Sequence, residues 1–565
     1  MYDDLRPELS IYGKKHMKTP NFQRLAAKSV VFEKAYAQVA VCNPSRASLL
    51  TGLRPDIVRV VDFKADFRPH ITIPTHLISE GYKTAGVGKI FHWESNEKHI
   101  WSEEQVGGEE WYTYQGFEYT YMNASTTPDN IHDVKWFKDY NYTTEAIRLL
   151  NQLSSNSNKN ENKETTISKS KSNQEKDKFF LGVGFKLPHL QLHVPKKYWD
   201  MYSGSDMKAA WKLPRRGLTF PFNSPSISYR CCAESRFYYL QDNGSTFSHH
   251  HSNLGNIQNS IPMKMRDELM QSYSAAVTFL DDQLGRFLDA IDELEMWDDV
   301  SIILTADHGM HNGERGIWEK WTLFDESTHV PLIIYDPRVI APKRVKQPVE
   351  LIDVYPTILD LVGSNVSNSN KPCMQFGEYI CKERQGRSLL PLMISENEEE
   401  EVPPEHTGAI SQMLRCIDRS SYEEAKVKLK DNGRSLSVFE SSMYRLEWLG
   451  DCPRIKGGRI DSIKYFPVMG YSYRTKLMRY VAWYEFDQKH WRPIMYPMIF
   501  EELYDHSHHA IDTSRKFHTK ANSSHSGFNS SMILYSNLAH NSRYKQILNK
   551  NRQELIQMLH NMHSV

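Results

Sequence analysis

Residues 41–52 read Val41-Cys42-Asn43-Pro44-Ser45-Arg46-Ala47-Ser48-Leu49-Leu50-Thr51-Gly52, and the rest of the chain is organised around this stretch. The pattern is C-x-P-S-R, with Thr51-Gly52 beginning five residues after Arg46. Free cysteine is often a small buried residue, so Cys42 could simply be a core thiol before a helix that begins near Ser45. The flanking residues Pro44, Ser45 and Arg46, with Thr51-Gly52, all fall in register with a known motif, which favours a chemical role instead.

This motif resembles the signature of the type I sulfatases, in which the cysteine is oxidised after translation to formylglycine. The resemblance implies that Cys42 is the precursor of the nucleophile and that a formylglycine-generating enzyme is a partner during maturation. A hydrated aldehyde carries two hydroxyls on one carbon, so one can attack sulfur and the other can collapse to release the sulfate. Arg46 is then expected to hold the nucleophile or the sulfate.

Length and charge restrict the class of protein. The chain has 565 residues and 40% hydrophobic content, enough for one large catalytic domain and a smaller partner domain. Lys plus Arg equals Asp plus Glu at 69 each, so the overall charge predicts no nucleic-acid or membrane partner. An acidic substrate must be bound by a local cluster of charges. No apolar run has the length needed to span a bilayer.

Cysteines and glycosylation sequons indicate the secretory route, hence a lysosomal or secreted protein. The alternatives are reduced thiols in a cytosolic protein and sequons that arise by chance in a chain rich in Asn and Ser. The six cysteines besides Cys42 are Cys231, Cys232, Cys373, Cys381, Cys416 and Cys452, which allow up to three disulfides. The six sequons begin at Asn123, Asn141, Asn243, Asn365, Asn522 and Asn529.

The chain opens on Met1-Tyr2-Asp3-Asp4, which is polar and does not resemble a signal peptide. In the family, an apolar strand comes immediately before the Asp pair. We therefore expect a signal sequence upstream and an incomplete chain, with a genuine truncated form as the alternative. We also expect the missing strand to leave its neighbours with unpaired backbone groups and the metal site poorly anchored.

Two acidic segments predict a site for a hard divalent cation. Asp3 and Asp4 are adjacent, and Asp307-His308 follows the apolar segment 300–306, which has the composition of a buried strand. Polar residues at the carboxyl end of such a strand are typical of sites in open α/β sheets. An Asp pair alone is more often a turn or the start of a helix.

The family resemblance assigns the remaining site residues. It implies one calcium ion bound by Asp3, Asp4, Asp307, His308 and the modified Cys42, and a sulfate surrounded by Arg46, Lys89, His92, His189 and Lys320. Calcium and a ring of cationic side chains suit the charge that develops on a sulfate ester. His189 or His92 can give a proton to the departing alcohol. The plainer alternatives are an exposed turn lysine at 89 and a structural histidine at 189.

Further segments narrow the resemblance to the branch of the family that removes the 2-O-sulfate of iduronate in heparan and dermatan sulfate. They include Gly86-Val87-Gly88-Lys89-Ile90-Phe91-His92, Pro188-His189, and Met469-Gly470-Tyr471-Ser472-Tyr473-Arg474-Thr475. The expected substrate is therefore a sulfated glycosaminoglycan. The alternatives are another carbohydrate sulfatase, a phosphoester hydrolase of the same superfamily, and a truncated, non-catalytic glycosaminoglycan-binding protein.

Two further departures from the family pattern fall near the expected site. A Lys stands at 186, one position away from its usual place, and Arg315 replaces a usual His. We expect both residues on the rim that contacts the substrate, where they would alter sugar specificity.

The predicted architecture is an α/β sandwich of the alkaline-phosphatase-like type, with a large mixed sheet flanked by helices and a smaller C-terminal domain containing an antiparallel sheet. We assign residues 1–395 to the catalytic domain, 396–405 to an acidic linker and 406–565 to the C-terminal domain. Residues 151–178 have almost no apolar side chains, which predicts a disordered insertion. Helical spacing of apolar residues predicts a long helix over 265–297, and helices are also expected over 349–362 and 553–562.

Overall fold

A computed structural model gives the structure of the protein. It describes residues 1–63, 65–67, 69–92, 100–103, 105–106, 134–158, 178–190, 192–202, 224–229, 241–242, 245–246, 263–364, 384–395, 407–420, 465–507 and 536–563. The predicted fold class is confirmed: a mixed α/β domain carries a separate antiparallel sheet formed by its C-terminal part.

The described strands are β1 (Val30–Tyr36), β2 (Lys83–Gly88), β3 (Gln105–Val106), β4 (Phe179–Gly184), β5 (Gln241–Asp242), β6 (Ser245–Thr246), β7 (Ile302–Thr305), β8 (His329–Tyr335), β9 (Lys343–Glu350), β10 (Gly408–Asp418), β11 (Tyr465–Thr475), β12 (Met478–Asp487), β13 (Arg492–Ile494) and β14 (Phe500–Asp505). The described helices are α1 (Pro20–Ala26), α2 (Cys42–Thr51), α3 (Pro55–Val58), α4 (Ile73–Ser79), α5 (Lys138–Asn158), α6 (Lys196–Asp200), α7 (Met263–Glu293), α8 (Asp325–Thr328), α9 (Val354–Leu361), α10 (Leu390–Ile394) and α11 (Lys545–His563).

The catalytic part contains two groups of hydrogen-bonded strands. One has the order β7-β8-β1-β9, in which β8 runs antiparallel to β7 and β1, while β9 is parallel to β1. The other has the order β3-β2-β4 and is parallel throughout. Apolar runs such as Val30-Val31-Phe32 are buried on both faces, as expected for strands covered by helices.

Met1 and Tyr2 lie between these two groups and hydrogen-bond to both. Tyr2 donates its N–H to the Thr305 carbonyl at 2.9 Å, and Asp307 donates back to the Tyr2 carbonyl at 3.0 Å. On the other side, Phe185 donates to the Met1 carbonyl at 2.9 Å. The Met1 ammonium donates to the Val183 carbonyl at 2.7 Å. Met1 and Tyr2 therefore form strand-type hydrogen bonds with both groups of strands. Asp3 and Asp4 follow directly after these hydrogen-bonded residues.

Helices cover the sheet and enclose the main core. The long helix α7 packs against α1, α5 and α6, and α2 packs against α3 and α9. The stripe predicted for α7 is buried, including Met270, Val277 and Leu284. The helix ends at Glu293, four residues before the predicted end. These contacts fix α2, and hence its first residue Cys42, against the carboxyl ends of the strands.

The C-terminal sheet has the order β10-β11-β12, and both β13 and β14 pair with the far edge of β12. The last helix, α11, packs on this sheet through buried Leu548, Leu555 and Leu559. The sheet meets the catalytic part along β10, where Gln412 donates its N–H to the Gln38 carbonyl at 2.7 Å. The C-terminal sheet therefore contacts the segment that leads into Cys42.

Two predictions about local structure were wrong. Residues 151–158 of the predicted insertion continue helix α5, because Leu149 and Leu153 are buried against the strand residues Ala85 and Val87. The helix predicted over 349–362 begins only at Val354, since residues 349 and 350 still pair with β1. The rest of the insertion up to 177, and the predicted linker 396–405, lie outside the described residues.

Candidate active site

The predicted site residues converge at one edge of the sheet. Lys89 follows β2, His189 follows β4, and Asp307-His308 follows β7 by one residue. Tyr2 forms a parallel bridge with Ala306, the residue after β7. Asp3 and Asp4 follow Tyr2 and therefore lie at the same edge of the sheet. The carboxyl ends of parallel strands meet there, which is why residues far apart in sequence become neighbours. We refer to Asp3, Asp4, Cys42, Arg46, Lys89, Asp307, His308 and Lys320 as the Cys42 pocket.

Asp3 and Asp4 are fully buried and firmly held. Asp4 adopts a left-handed backbone conformation with φ of 64°, which is uncommon for a residue with a side chain. Its N–H donates to Asp307 Oδ1 at 3.1 Å, and its carbonyl accepts from the Tyr273 hydroxyl at 2.9 Å. The expectation of a poorly anchored Asp pair was wrong, because bonds from α7 and from Asp307 fix its backbone.

Cys42 is the first residue of α2 and is completely buried. Its Sγ lies 3.4 Å from Asp3 Oδ1, 3.3 Å from His308 Nε2 and 3.4 Å from Lys320 Nζ. Burial and the Asp3 carboxylate raise the pKa of the Cys42 thiol well above its usual range, against the opposing effect of Lys320. An unmodified Cys42 is therefore a protonated thiol, poorly suited to act as a nucleophile itself.

Arg46 lies one turn further along α2 and binds the opposite side of the pocket. Its Nε donates to Asp307 Oδ2 at 2.9 Å, and its Nη1 donates to the backbone carbonyls of Lys89 and Ile90. Its Nη2 lies 3.5 Å from Asp3 Oδ1. These contacts make Arg46 the cation that faces Asp307 and a brace for the backbone at Lys89.

Two lysines neutralise the Asp pair. Lys89 Nζ forms a salt bridge with Asp3 Oδ2 at 2.5 Å, and Lys320 Nζ donates to Asp4 Oδ1 at 2.9 Å. Burial alone would raise the pKa of Asp3, but Lys89, with Arg46 and Lys320, lowers it well below its usual range. In the pocket, three cations, Arg46, Lys89 and Lys320, thus lie opposite three acids.

Glycine 88 makes the position of Lys89 possible. Its φ is 69°, and a Cβ at this position would lie 2.1 Å from the Gly184 carbonyl oxygen. The close approach allows Lys89 to donate its N–H to that same carbonyl at 2.9 Å. Only glycine combines this backbone conformation with this contact between β2 and β4.

The two candidate acids, His92 and His189, border the pocket. His92 is buried and stacks on Phe63 with ring centroids 4.9 Å apart. His189 is half-buried and its Nδ1 faces the Leu190 carbonyl at 2.7 Å, which leaves Nε2 for other contacts. Burial and the nearby lysines lower the pKa of both imidazoles, so both are neutral in this arrangement.

Four side chains of the pocket could hold one metal ion. Ligand atoms of Asp3, Asp4, Cys42 and His308 all lie within 4.8 Å of one another, and all four residues are buried. His308 Nδ1 faces the Gly309 carbonyl at 2.9 Å, so Nε2 is the nitrogen on the ligand side. The donor set fits a divalent cation, and an oxygen in place of the Cys42 sulfur would suit a hard ion such as calcium. The carboxylate of the fifth predicted ligand, Asp307, accepts from Arg46 and from the backbone.

Comparison with known proteins identifies the family. A sulfatase family model matches residues 1–364. The chain belongs to the sulfatase family. This sulfatase is 29% identical to human iduronate 2-sulfatase over 534 residues, which cover 86% of this chain and 84% of the human protein. Mouse iduronate 2-sulfatase is similar to the same extent, at 29% identity over 533 residues covering 86% of this chain and 84% of the mouse protein.

Among solved structures, the sulfatase is similar to a phosphonate monoester hydrolase from Silicibacter pomeroyi. The TM-score is 0.61 at 18% sequence identity, and the match covers 99% of this chain and 94% of that one. At this identity the likeness establishes the alkaline-phosphatase-like fold only. No helix among the described residues of the sulfatase is both long enough and apolar enough to cross a membrane.

The expectation that Arg315 lies on the substrate rim of the sulfatase was wrong. Arg315 is buried, its Nη1 forms an ion pair with Glu326 at 2.5 Å, and its guanidinium lies over the Phe324 ring. Tyr229 donates its hydroxyl to the Arg315 carbonyl at 3.0 Å. Arg315 therefore stabilises the loop before β8. Lys186 is partly exposed, and its role at the rim stays a prediction.

Some contributors to the pocket were missed from the sequence. Tyr273 is one of the residues whose helical spacing predicts α7, but its hydroxyl also holds the Asp4 carbonyl. Trp321 and Arg415 were not singled out, although both support the loop of Lys320. A tyrosine in an apolar stripe is a weak hint of a buried polar contact. Nothing local marks Arg415, because its partners are distant in sequence.

Most of the predicted covalent modifications lie outside the described residues. Within them, Cys42 is a free thiol and Cys416 is disulfide-bonded. Asn141 is exposed on α5, which is compatible with a glycosylated sequon. Disulfide connectivity and glycosylation both stay predictions.

Proposed function

We propose that this sulfatase removes the 2-O-sulfate of iduronate units in heparan and dermatan sulfate, using a formylglycine made from Cys42 and one calcium ion. The single observation that carries the chemistry is the position of Cys42 at the start of α2, with an acid, an imidazole and a lysine all within 3.4 Å of its Sγ. The sugar specificity rests on the similarity to iduronate 2-sulfatase along 86% of the chain.

The metal would be held by Asp3, Asp4, His308 and the modified residue 42, with Asp307 beside them. Calcium would supply Lewis-acid stabilisation of the charge on the sulfate oxygens. Three carboxylates face three cations in the pocket, so a divalent cation would give it an excess of positive charge. That excess favours an anionic ester over a neutral one.

The formylglycine hydrate would supply a nucleophile that can be regenerated without attack of water on sulfur. Lys89 and Lys320 would orient the sulfate while remaining paired with Asp3 and Asp4. Arg46 would fix Asp307 and the backbone at Lys89. His189 or His92 would donate the proton to the leaving alcohol. A bound anionic ester raises the pKa of a neighbouring imidazole, which opposes the effect of burial.

The maturation partner would be a formylglycine-generating enzyme, and the protein would reach the lysosome or be secreted. Cells make the aldehyde on chains that enter the secretory route. The sequons would be glycosylated and the disulfides would form on the same route. The substrate would then be met in an acidic compartment, where an imidazole can carry the proton that the leaving alcohol needs.

A second candidate is hydrolysis of another carbohydrate sulfate or of a phosphoester. The fold is shared with a phosphonate monoester hydrolase, so the same pocket geometry is compatible with a phosphorus centre. A non-catalytic glycosaminoglycan-binding protein is the third candidate, and it predicts binding that does not depend on Cys42.

The test uses the full chain purified from a eukaryotic secretory host, in which residue 42 is first examined by mass spectrometry. Modified protein is then assayed on a disulfated heparan disaccharide bearing iduronate 2-O-sulfate, on glucosamine 6-O-sulfate and on an aryl phosphate. We expect formylglycine at 42 and sulfate release from the first substrate alone. Release from glucosamine 6-O-sulfate or phosphate alone would replace the proposed specificity. Formylglycine without any turnover would favour the binding protein.

A further inference from the structure

Lysine 320 owes its position to an unusual backbone. The next residue, Trp321, has φ of 67°, in the left-handed region that bulky residues avoid. Such a conformation persists only when surrounding groups hold it, and it commonly occurs where a side chain must be aimed. The conformation turns the chain directly after Lys320, whose Nζ contacts both Asp4 and Cys42.

Two hydrogen bonds hold Trp321, one on each side. Its N–H donates to the Ala40 carbonyl at 3.2 Å, which fixes the peptide that joins it to Lys320. Its carbonyl accepts from Nη2 of Arg415, a residue of β10 in the C-terminal sheet. Arg415 is 4% exposed and also donates Nε to the Ile227 carbonyl at 3.3 Å. The contact with Ile227 therefore helps to fix the guanidinium in the position from which it binds Trp321.

The same face of β10 contacts the segment that leads into Cys42. Side chains two residues apart on a strand share a face. Ser411 donates its hydroxyl to the Ala37 carbonyl at 2.6 Å. Met413 packs with Val41 and Trp321 in one apolar cluster. Arg415 is the next residue on this face. One strand thus contacts both the Cys42 segment and the Lys320 loop.

We propose that Arg415 is a positioning residue: by binding the Trp321 carbonyl it holds Lys320 against Asp4 and residue 42, so that the C-terminal sheet completes the active site. This proposal rests on the proposed function for its kinetic test, but it also makes a structural claim that does not depend on turnover. Among the described residues, Arg415 donates hydrogen bonds to the backbone carbonyls of Ile227, Leu414 and Trp321, and the proposed effect on the reaction passes through Lys320.

The first experiment compares three variants in the modified full chain. Arg415→Gln removes the guanidinium, and we expect kcat to fall about 10- to 100-fold, as for a misplaced catalytic group, with little change in KM. Arg415→Lys keeps one donor for the Trp321 carbonyl and should recover most of the rate. The matched control is Arg479→Gln on β12, which removes an equally buried arginine that donates to the Leu323 carbonyl at 2.6 Å. A loss in the control as large as in Arg415→Gln would overturn the proposal.

A double-variant cycle tests whether the effect passes through Lys320. If Arg415 acts through Lys320, adding Arg415→Gln to Lys320→Met causes no further loss of kcat. Multiplying losses would show an independent role and overturn the proposal.

A crystal structure of Arg415→Gln gives an answer without turnover. We expect Lys320 Nζ to leave hydrogen-bonding distance of Asp4, and an unmoved Lys320 would overturn the proposal. If the wild-type chain releases no sulfate or phosphate, the proposed function fails. The structural result still decides the role of Arg415.

Discussion

The pKa of a buried acid is lowered in the Cys42 pocket but raised in a second buried group of acids. The second group, here named the Glu350 cluster, consists of Gln38, Arg54, Glu350 and Asp353 beside β10. Arg54 binds both oxygens of Glu350, at 2.8 and 2.6 Å. Asp353 accepts from the Glu350 N–H at 2.8 Å and has no cation of its own within the cluster. In the pocket, three acids face the three cations Arg46, Lys89 and Lys320. In the cluster, Glu350 and Asp353 have only Arg54 between them.

The pKa values follow this difference. Asp3 has a pKa well below its usual range, because its cations outweigh burial. In the cluster, burial and the Glu350 carboxylate raise the pKa of Asp353 to about 7. Both acids are buried, so burial does not decide the direction of the shift. The balance of neighbouring charge decides it.

The largest effect is expected from removing the nucleophile precursor. Cys42→Ala should lower sulfate release by more than about 10⁴-fold, the scale seen when a catalytic nucleophile is removed. Stability should change by only about 1 kcal/mol, because one small side-chain atom is lost. Cys42→Ser is the matched control: it replaces the thiol by a hydroxyl of similar size, but it cannot form the aldehyde by the same route. Initial rates and thermal unfolding measure both quantities, and residual turnover in Cys42→Ala would refute the nucleophile assignment.

The charge balance of the pocket is broken most directly by Lys320→Met. Asp4 would lose its cation, and leaving one partner of a buried ion pair unpaired costs about 3–5 kcal/mol. Calcium would then be the remaining counter-charge for Asp4, so added calcium should raise the unfolding temperature of Lys320→Met more than that of wild type.

Lys320→Arg keeps the charge and serves as the control for Lys320→Met. Thermal unfolding with calcium and with a chelator makes the comparison. An equal calcium response in wild type and Lys320→Met would show that Lys320 and the ion do not share Asp4.

A smaller, pH-dependent effect is expected in the Glu350 cluster. The folded pKa of Asp353, about 7, lies above the ordinary value near 3.8. Its contribution to stability is therefore fully present below about pH 4 and is lost as pH rises through 7. Asp353→Asn cannot titrate, so its stability should fall less than that of wild type between pH 5.5 and 8, by about 1–2 kcal/mol.

Chemical denaturation at the two pH values measures this difference. The variant will be less stable at both, because one backbone N–H loses its acceptor, but only the change with pH tests the shift. Parallel pH curves for wild type and Asp353→Asn would contradict a raised pKa.

Much of the site could be predicted from residue types and spacing. All ten predicted site residues, from Asp3 to Lys320, lie at or beside the Cys42 pocket. Most of them follow a strand or lie in the first turn of α2 at one edge of the sheet. The predictions failed where a distant contact decides the outcome. Arg315 pairs with Glu326 instead of facing the substrate, and residues 151–158 stay helical because α5 packs on β2 and β4.

By itself, the sequence determined the family, the fold class and the identity of the chemical groups, since these depend on short motifs and on apolar patterns that survive in any context. Only the tertiary structure decided which cation faces which carboxylate, and therefore the direction of each pKa shift. It also decided that Arg415 of β10, 94 residues beyond Trp321, binds the Trp321 carbonyl. Charge interactions depend on distance in space, which spacing along the chain does not record.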